Sequence, residues 1–350
     1  MLDEIFTLSF AAFLAILFTW AFRTLPKEDW QILACLPYRK GQDGNWFGKN
    51  LTYYGFFSAL AYVFAVILFL IMMSSLSIPI IGTISVVAVI LAICVLAARI
   101  IARWVEKKPH TLSVGAASFT GILIGPLAIW TVNATLGNWL DFSVPTLSVM
   151  TALFIAYAFG EGIGRLACIS FGCCYGKRLT ECNSLIKKIF RRHNFVFSGK
   201  TKKIAYAYQL DGQEIIPIQA LTAVLYSGTA LLSFYLFLKG FTLSAMIITL
   251  IVTQGWRFAS EFLRADHRGN GRISAYQIMT LIAIGYTFII SALIKTPDPG
   301  LPNLLPGINS LWNPGIIIFL VALLIFVFLY TGQSRITSSS INIQVQQKNI

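Results

Sequence analysis

The chain is 350 residues long, 57% hydrophobic and only 12% charged, where an ordinary soluble domain carries roughly 25% charged residues. Its charge is lopsided, with 27 Lys and Arg against 14 Asp and Glu and a formal net of +13. The basic residues lie in short stretches between apolar runs, so they read as topology signals and lipid-headgroup contacts, and not as a nucleic-acid surface.

A bilayer core of about 30 Å needs roughly 20 apolar residues in helical form. Nine segments meet that length in chain order: 5–22, 51–73, 78–98, 111–132, 146–168, 217–238, 241–262, 273–294 and 314–331. The first is no signal peptide, because Met1-Leu2-Asp3-Glu4 is acidic where a signal is basic and no small-x-small cleavage site follows. The expected fold is therefore all-α and polytopic, with about nine transmembrane helices. Two connections are long, 23–50 and 169–216, and the second is polar and basic enough to form a small extramembrane insertion. The tail from Gly332 is rich in Ser, Asn and Gln without periodicity and reads as disordered.

Alternation along nine spans places 24 of the 27 Lys and Arg on one side. Lys239 and Lys295 fall on the other side, and Arg165 lies near a helix end. The positive-inside rule makes the basic side cytoplasmic, with the N-terminus outside and the C-terminus inside the plasma membrane of the cell, its inner membrane.

Charges within the spans cost roughly 2.5–3.5 kcal/mol each on insertion scales, so each one needs a reason. One cluster runs from Gly160-Glu161-Gly162 through Arg165 and Cys168 to Gly172-Cys173-Cys174-Tyr175-Gly176-Lys177. Glu161 and Arg165 are spaced i, i+4 and can neutralise each other. The other cluster is Arg257-Phe258-Ala259-Ser260-Glu261-Phe262-Leu263-Arg264, followed by Asp266 and His267. As a helix it would set Arg257, Glu261 and Arg264 on one face, where two guanidinium forks could hold a lipid phosphate. The bland alternatives are a packing helix with an internal ion pair and a helix end with snorkelling arginines.

The six cysteines, at 35, 94, 168, 173, 174 and 182, include no CxxC pair and suggest no disulfide framework. Adjacent cysteines rarely both reach one tetrahedral zinc, so no metal is expected, and the GCCYG thiols read as small packing residues. The basic run 187–203, with its lone His193, reads as a surface facing anionic headgroups.

The stretch from Gly164-Arg165 to Tyr175-Gly176 resembles the signature of the phosphatidylglycerol–prolipoprotein diacylglyceryl transferases. Thr52-Tyr53-Tyr54-Gly55, Pro217-Ile218-Gln219, Arg257 to Arg264 and Ser274-Ala275-Tyr276-Gln277 resemble further elements of that family, in order. The resemblance covers roughly residues 50–294. It implies a transferase-like membrane core at 51–294, interrupted by the insertion 169–216. Residues 1–50 then hold an extra N-terminal helix and a basic loop, 295–331 an extra C-terminal helix, and 332–350 the tail.

The resemblance also implies a lipid-dependent transferase of lipoprotein biosynthesis. Such an enzyme moves a diacylglyceryl group from an anionic, phosphatidylglycerol-like donor to an acceptor thiol on a protein or small molecule, with no cofactor. Carried over by position, Arg165, Arg257 and Glu261 would be catalytic, and Tyr54, Arg264, Gly176 and Cys168 would bind lipid. The chain departs from the family in that Cys168 replaces the signature asparagine and Ser118-Phe119-Thr120-Gly121 lacks the helix-start histidine, with His110 too far upstream. Ile216 replaces a second histidine, and Leu221-Thr222 a Tyr-Glu pair. These departures keep open an alternative, a non-catalytic lipid-binding or transport-type protein on the same fold.

Overall fold

Apolar runs of this length settle as helices because only a helix satisfies its own backbone N–H and C=O groups within lipid. The structure, a computed structural model, describes residues 1–106, 114–265, 273–293 and 300–350. The predicted segments form α1 (Leu2–Thr24), α2 (Tyr53–Ser75), α3 (Ile80–Glu106), α4 (Val114–Val132) and α5 (Thr146–Phe171). They continue as α6 (Ile218–Leu238), α7 (Thr242–Ser260), α8 (Ala275–Leu293) and α9 (Pro314–Gly332).

Eight of the described helices are long and apolar enough to cross a membrane. The remaining predicted span is α7, whose buried Thr249, Thr253 and Gln254 lower its hydropathy. The threonines satisfy their hydroxyls on carbonyls one turn back, Thr249 on Ala245 and Thr253 on Thr249. α7 runs back along α6 after a tight turn, with the Tyr226 hydroxyl donating to the Thr253 carbonyl at 2.7 Å. At 19 residues it is nearly as long as the 21-residue α6 along which it packs.

Ile16, Trp130, Ile318 and Phe326 are exposed on the outer faces of the bundle. Such apolar surface is stable against lipid and not against water. α5 lies at the centre, its buried side chains continuous from Ser148 to Ala152 and from Phe154 to Ala156. α2, α6 and α7 pack around it. At one end of the bundle Lys239 ties α1 to the α6–α7 turn through Asp3 at 2.9 Å and Glu4 at 2.7 Å.

The other end carries the long polar segments. There β1 (Ile32–Lys40), β2 (Trp46–Thr52) and β3 (Gln333–Ile341) form an antiparallel sheet with β2 in the middle. This corrects the expectation of a disordered tail for residues 333–341. The strand rests on backbone pairing and on polar side chains that composition does not reveal: Ser339 Oγ donates to Asn50 Oδ1 at 2.6 Å, and Thr52 Oγ1 to the Gly332 carbonyl at 3.0 Å.

The basic insertion is folded too. It contains helices Ser184–Phe190 and Lys203–Tyr208, and a strand pair of Phe195–Val196 with Glu214–Ile215. Phe197, Ile204, Leu210 and Ile215 are buried within it. It docks on the chain after α1, where Gln31 Nε2 donates to the Thr201 carbonyl, Thr201 Oγ1 donates to Gln31 Oε1, and Ser170 Oγ donates to the Trp30 carbonyl.

Lys202 is fully buried at that joint, its Nζ donating to the carbonyls of Leu25 at 3.0 Å and Ser170 at 2.7 Å. Burial pushes its ammonium down to about 8, against the opposing pull of Glu28. An unfolded lysine titrates near 10.4. Between about pH 8 and 10.4 the unfolded chain thus holds a proton that the folded chain has released, and stability rises with pH. Below pH 8 both states are protonated and the folded state bears the whole burial penalty, up to about 3 kcal/mol. Melting in detergent from pH 8 to 10 should show wild type gaining stability relative to Lys202→Met. Parallel pH profiles would count against this account.

Candidate active site

Three side chains four residues apart, Tyr157, Glu161 and Arg165, share one face of α5. Glu161 accepts from Arg165 Nη2 on one oxygen and from the Tyr157 hydroxyl on the other. From α7, Arg257 Nη2 reaches the same carboxylate at 2.7 Å and also donates to the Tyr157 hydroxyl. The side chains of Glu161, Arg257 and Arg165 are only 4%, 11% and 14% exposed, so solvent screens this triad little. Tyr226 of α6 stands beside it, and Gly115 at the start of α4 lets Arg257 Nη1 and the Tyr276 ring approach closely. Five helices, α4 to α8, therefore meet around one carboxylate.

The charges do not cancel. Two guanidinium groups share a single carboxylate, and the buried Nε atoms of both Arg165 and Arg257 lack a hydrogen bond among the described residues. The triad is a net cation with donors to spare, which suits an anionic ligand.

The signature's second half closes the end of this site. α5 stops at Gly172, which takes the left-handed conformation (φ 71°) that glycine adopts without steric cost. The Cys173 N–H then turns back to the Cys168 carbonyl at 3.0 Å, and Gln219 Nε2 holds the Cys173 carbonyl at 2.8 Å. Gly176 bridges Arg264, the Lys177 N–H bonds to the Leu263 carbonyl, and the Ile216 N–H bonds to the Lys177 carbonyl.

Cys168, Cys173 and Cys174 bring their sulfurs within 4.8 Å of one another. Hydrogen bonding to the other two sulfurs holds the Cys174 thiol well below the ordinary thiol range, helped by Arg264 and Arg165 nearby. The same thiol–thiol hydrogen bonding, with burial, pushes Cys173 up. Tyr54 sits half-buried beside the sulfurs, its ring edge-on to Phe171 at 5.5 Å.

Arg165 and Arg257 thus converge as the sequence suggests. The stripe of Arg257, Glu261 and Arg264 does not persist, because α7 ends at Ser260. Glu261–Leu263 form a 3-10 turn and Arg264 is extended, its backbone engaged by Gly176. The carboxylate at the centre is Glu161, whereas Glu261 receives the Ser274 hydroxyl at 3.5 Å. Glu161, expected only as a neutralising partner of Arg165, is thus the shared acceptor, and Tyr157 joins it unforeseen, although an i, i+4 spacing before Glu161 is its sequence signal. Ser118, where the family has its histidine region, bonds back to the Gly115 carbonyl. His110, Asp266 and His267 lie outside the described residues.

The remaining family-like elements form the helix starts expected of them. Thr52 caps α2 by accepting from the Gly55 N–H, and Pro217 precedes α6. Ser274 and Gln277 form a reciprocal capping box on α8, with Gln277 Nε2 also reaching the Phe258 carbonyl at the end of α7.

Apolar helices of spanning length around a buried cationic site define a multi-pass helical membrane protein. Residues 46–293 match the prolipoprotein diacylglyceryl transferase family, and the chain belongs to that family. α1, β1, α9 and β3 lie outside the matched residues. No curated protein sequence matches the chain.

Proposed function

We propose that the protein is a membrane-embedded transferase that moves a diacylglyceryl group from an anionic, phosphatidylglycerol-like phospholipid to an acceptor thiol, in lipoprotein biosynthesis. The observation that carries this reading is the triad's surplus positive charge, with Arg165 and Arg257 sharing Glu161 while both Nε–H groups are left over. A phosphodiester placed there would receive charge-assisted hydrogen bonds in a poorly screened interior.

In the reaction the acceptor sulfur forms a bond to the glyceryl carbon that bears the phosphate. The C–O bond breaks, and the phosphoglycerol leaves with its electron pair while the thiol proton passes to the medium. Negative charge grows on the leaving phosphate in the transition state, where preorganised guanidinium groups are most effective. Arg264 would flank the headgroup, and Tyr54, Cys168 and Gly176 would line its approach.

Purified protein incubated with radiolabelled phosphatidylglycerol and a cysteine peptide should yield a lipidated thioether. Lipid binding without any product would favour the non-catalytic reading, for which Ser118 and Ile216 at the family's histidine positions already argue.

The 24-to-2 distribution of basic residues supports placing the β-sheet, the insertion and the site at the cytoplasmic face of the inner membrane. A single cysteine introduced at Ser198, which is exposed on the insertion, should then react with an impermeant maleimide only after the membrane is broken. Labelling in intact cells would place the site on the outer face.

A further inference from the structure

Cys173 and Cys174 have no part in the transfer reaction as proposed and Cys168 only lines the approach to it, yet the three are the one group of metal-ligating side chains that converges among the described residues. Their approach comes from the backbone. The helix cap at Gly172 folds the chain back over Cys168, and Cys174 itself is left-handed (φ 57°), an uncommon conformation outside glycine. A left-handed residue re-aims its side chain relative to the preceding one, and here the adjacent Cys173 and Cys174 thiols face the same point as Cys168. Adjacent cysteines rarely reach one tetrahedral ion, and the left-handed backbone is what lets this pair do so. Gln219 on one side and the Tyr175–Ala265 and Lys177–Leu263 backbone hydrogen bonds on the other hold the loop in place, so the sulfurs are preorganised.

We propose that these three cysteines form a trithiolate site for a single thiophilic divalent cation of the zinc type. Zn–S bonds of about 2.3 Å put tetrahedral sulfurs about 3.8 Å apart, which the present separations reach by small side-chain rotations. Thiolates select soft and borderline ions such as zinc over magnesium or calcium. Three thiolates around a divalent ion carry one net negative charge, and Arg165 and Arg264, both near Cys174, supply the compensating field. All three cysteines are half-buried at the loop-rich end of the bundle, which leaves an entry path. Cys182 stands apart, its Sγ donating to the Arg178 carbonyl. The site is independent of the transferase reading, since ion binding is measured without lipid or acceptor.

Full-length protein in detergent, stripped with chelator, is titrated with Co²⁺ and with Zn²⁺ in competition with a chromophoric chelator. One equivalent of Co²⁺ should produce a thiolate-to-cobalt charge-transfer band that Zn²⁺ abolishes. Cys168→Ser, Cys173→Ser and Cys174→Ser should each weaken Zn²⁺ binding by at least about tenfold, since loss of even an outer-shell partner has that effect. Cys182→Ser and Cys35→Ser should bind as wild type does.

In case a variant fails to fold, alkylation of the wild-type protein followed by peptide mass analysis gives a second reading. Zn²⁺ should protect residues 168, 173 and 174 together and leave Cys35 and Cys182 reactive. Absence of the band, binding that survives Cys168→Ser unchanged, or alkylation unaffected by Zn²⁺ would each overturn the site.

Discussion

Glu161→Gln is expected to be the most damaging single substitution in the protein. Glu161 is the one carboxylate described between Arg165 and Arg257, and it also receives the Tyr157 hydroxyl. Glutamine keeps the shape and removes the charge, leaving two guanidinium groups in a poorly solvated interior. Breaking a buried pair from one side costs roughly 3–5 kcal/mol, because the remaining charge is stranded. Here two charges are stranded, so thermal unfolding in detergent should fall by at least that much.

Adding Arg257→Met to Glu161→Gln should restore part of the stability, because one stranded cation is gone. It should not restore diacylglyceryl transfer, which would need the second guanidinium. Melting curves of the single and double variants read the first statement, and the lipidation assay reads the second. A Glu161→Gln protein as stable as wild type would mean that water reaches the triad freely, contrary to its burial.

Gly176→Val is expected to abolish transfer while leaving the helical bundle folded. Gly176 lies where the signature passes between Arg264 and Ile216. A Cβ there would stand 2.6 Å from the Ile216 carbonyl oxygen and 2.7 Å from its Cβ. Neither neighbour is a flexible side-chain tip, so the two segments must separate, at the roughly 1–3 kcal/mol typical of overpacking. Separation moves Arg264 away from Cys174 and loosens the loop that closes the site. Transfer should fall more than the modest loss of melting temperature explains, and protease should cut residues 172–217 faster than in wild type. If Gly176 is required only as a lipid contact, Gly176→Val should weaken lipid binding without changing the proteolysis pattern.

The chain by itself determined that it crosses a membrane many times, and nearly where. Each apolar run matches a described helix to within a few residues, except for 78–98, which α3 extends to Glu106, and α4, whose first predicted residues lie outside the described ones. A spanning segment must be both helical and apolar over a fixed length, and that requirement is written locally. The Glu161–Arg165 pair was legible for the same reason, because an i, i+4 spacing brings side chains together on any helix.

Tertiary structure decided everything that depends on how one segment faces another. Arg257 finds Glu161, 96 residues away, because α5 and α7 pack with those faces together, and no periodicity in either helix states that rotation. The residues from Glu261 to Arg264 read as helix by spacing, yet backbone pairing with Gly176 draws Arg264 into an extended form. The Ser-rich tail became a strand because β2 had an edge with Asn50 and Thr52 to receive it. The three cysteines meet because a left-handed residue at 174 turns adjacent side chains to one point, a backbone conformation that the paired loop imposes and that residue type does not encode.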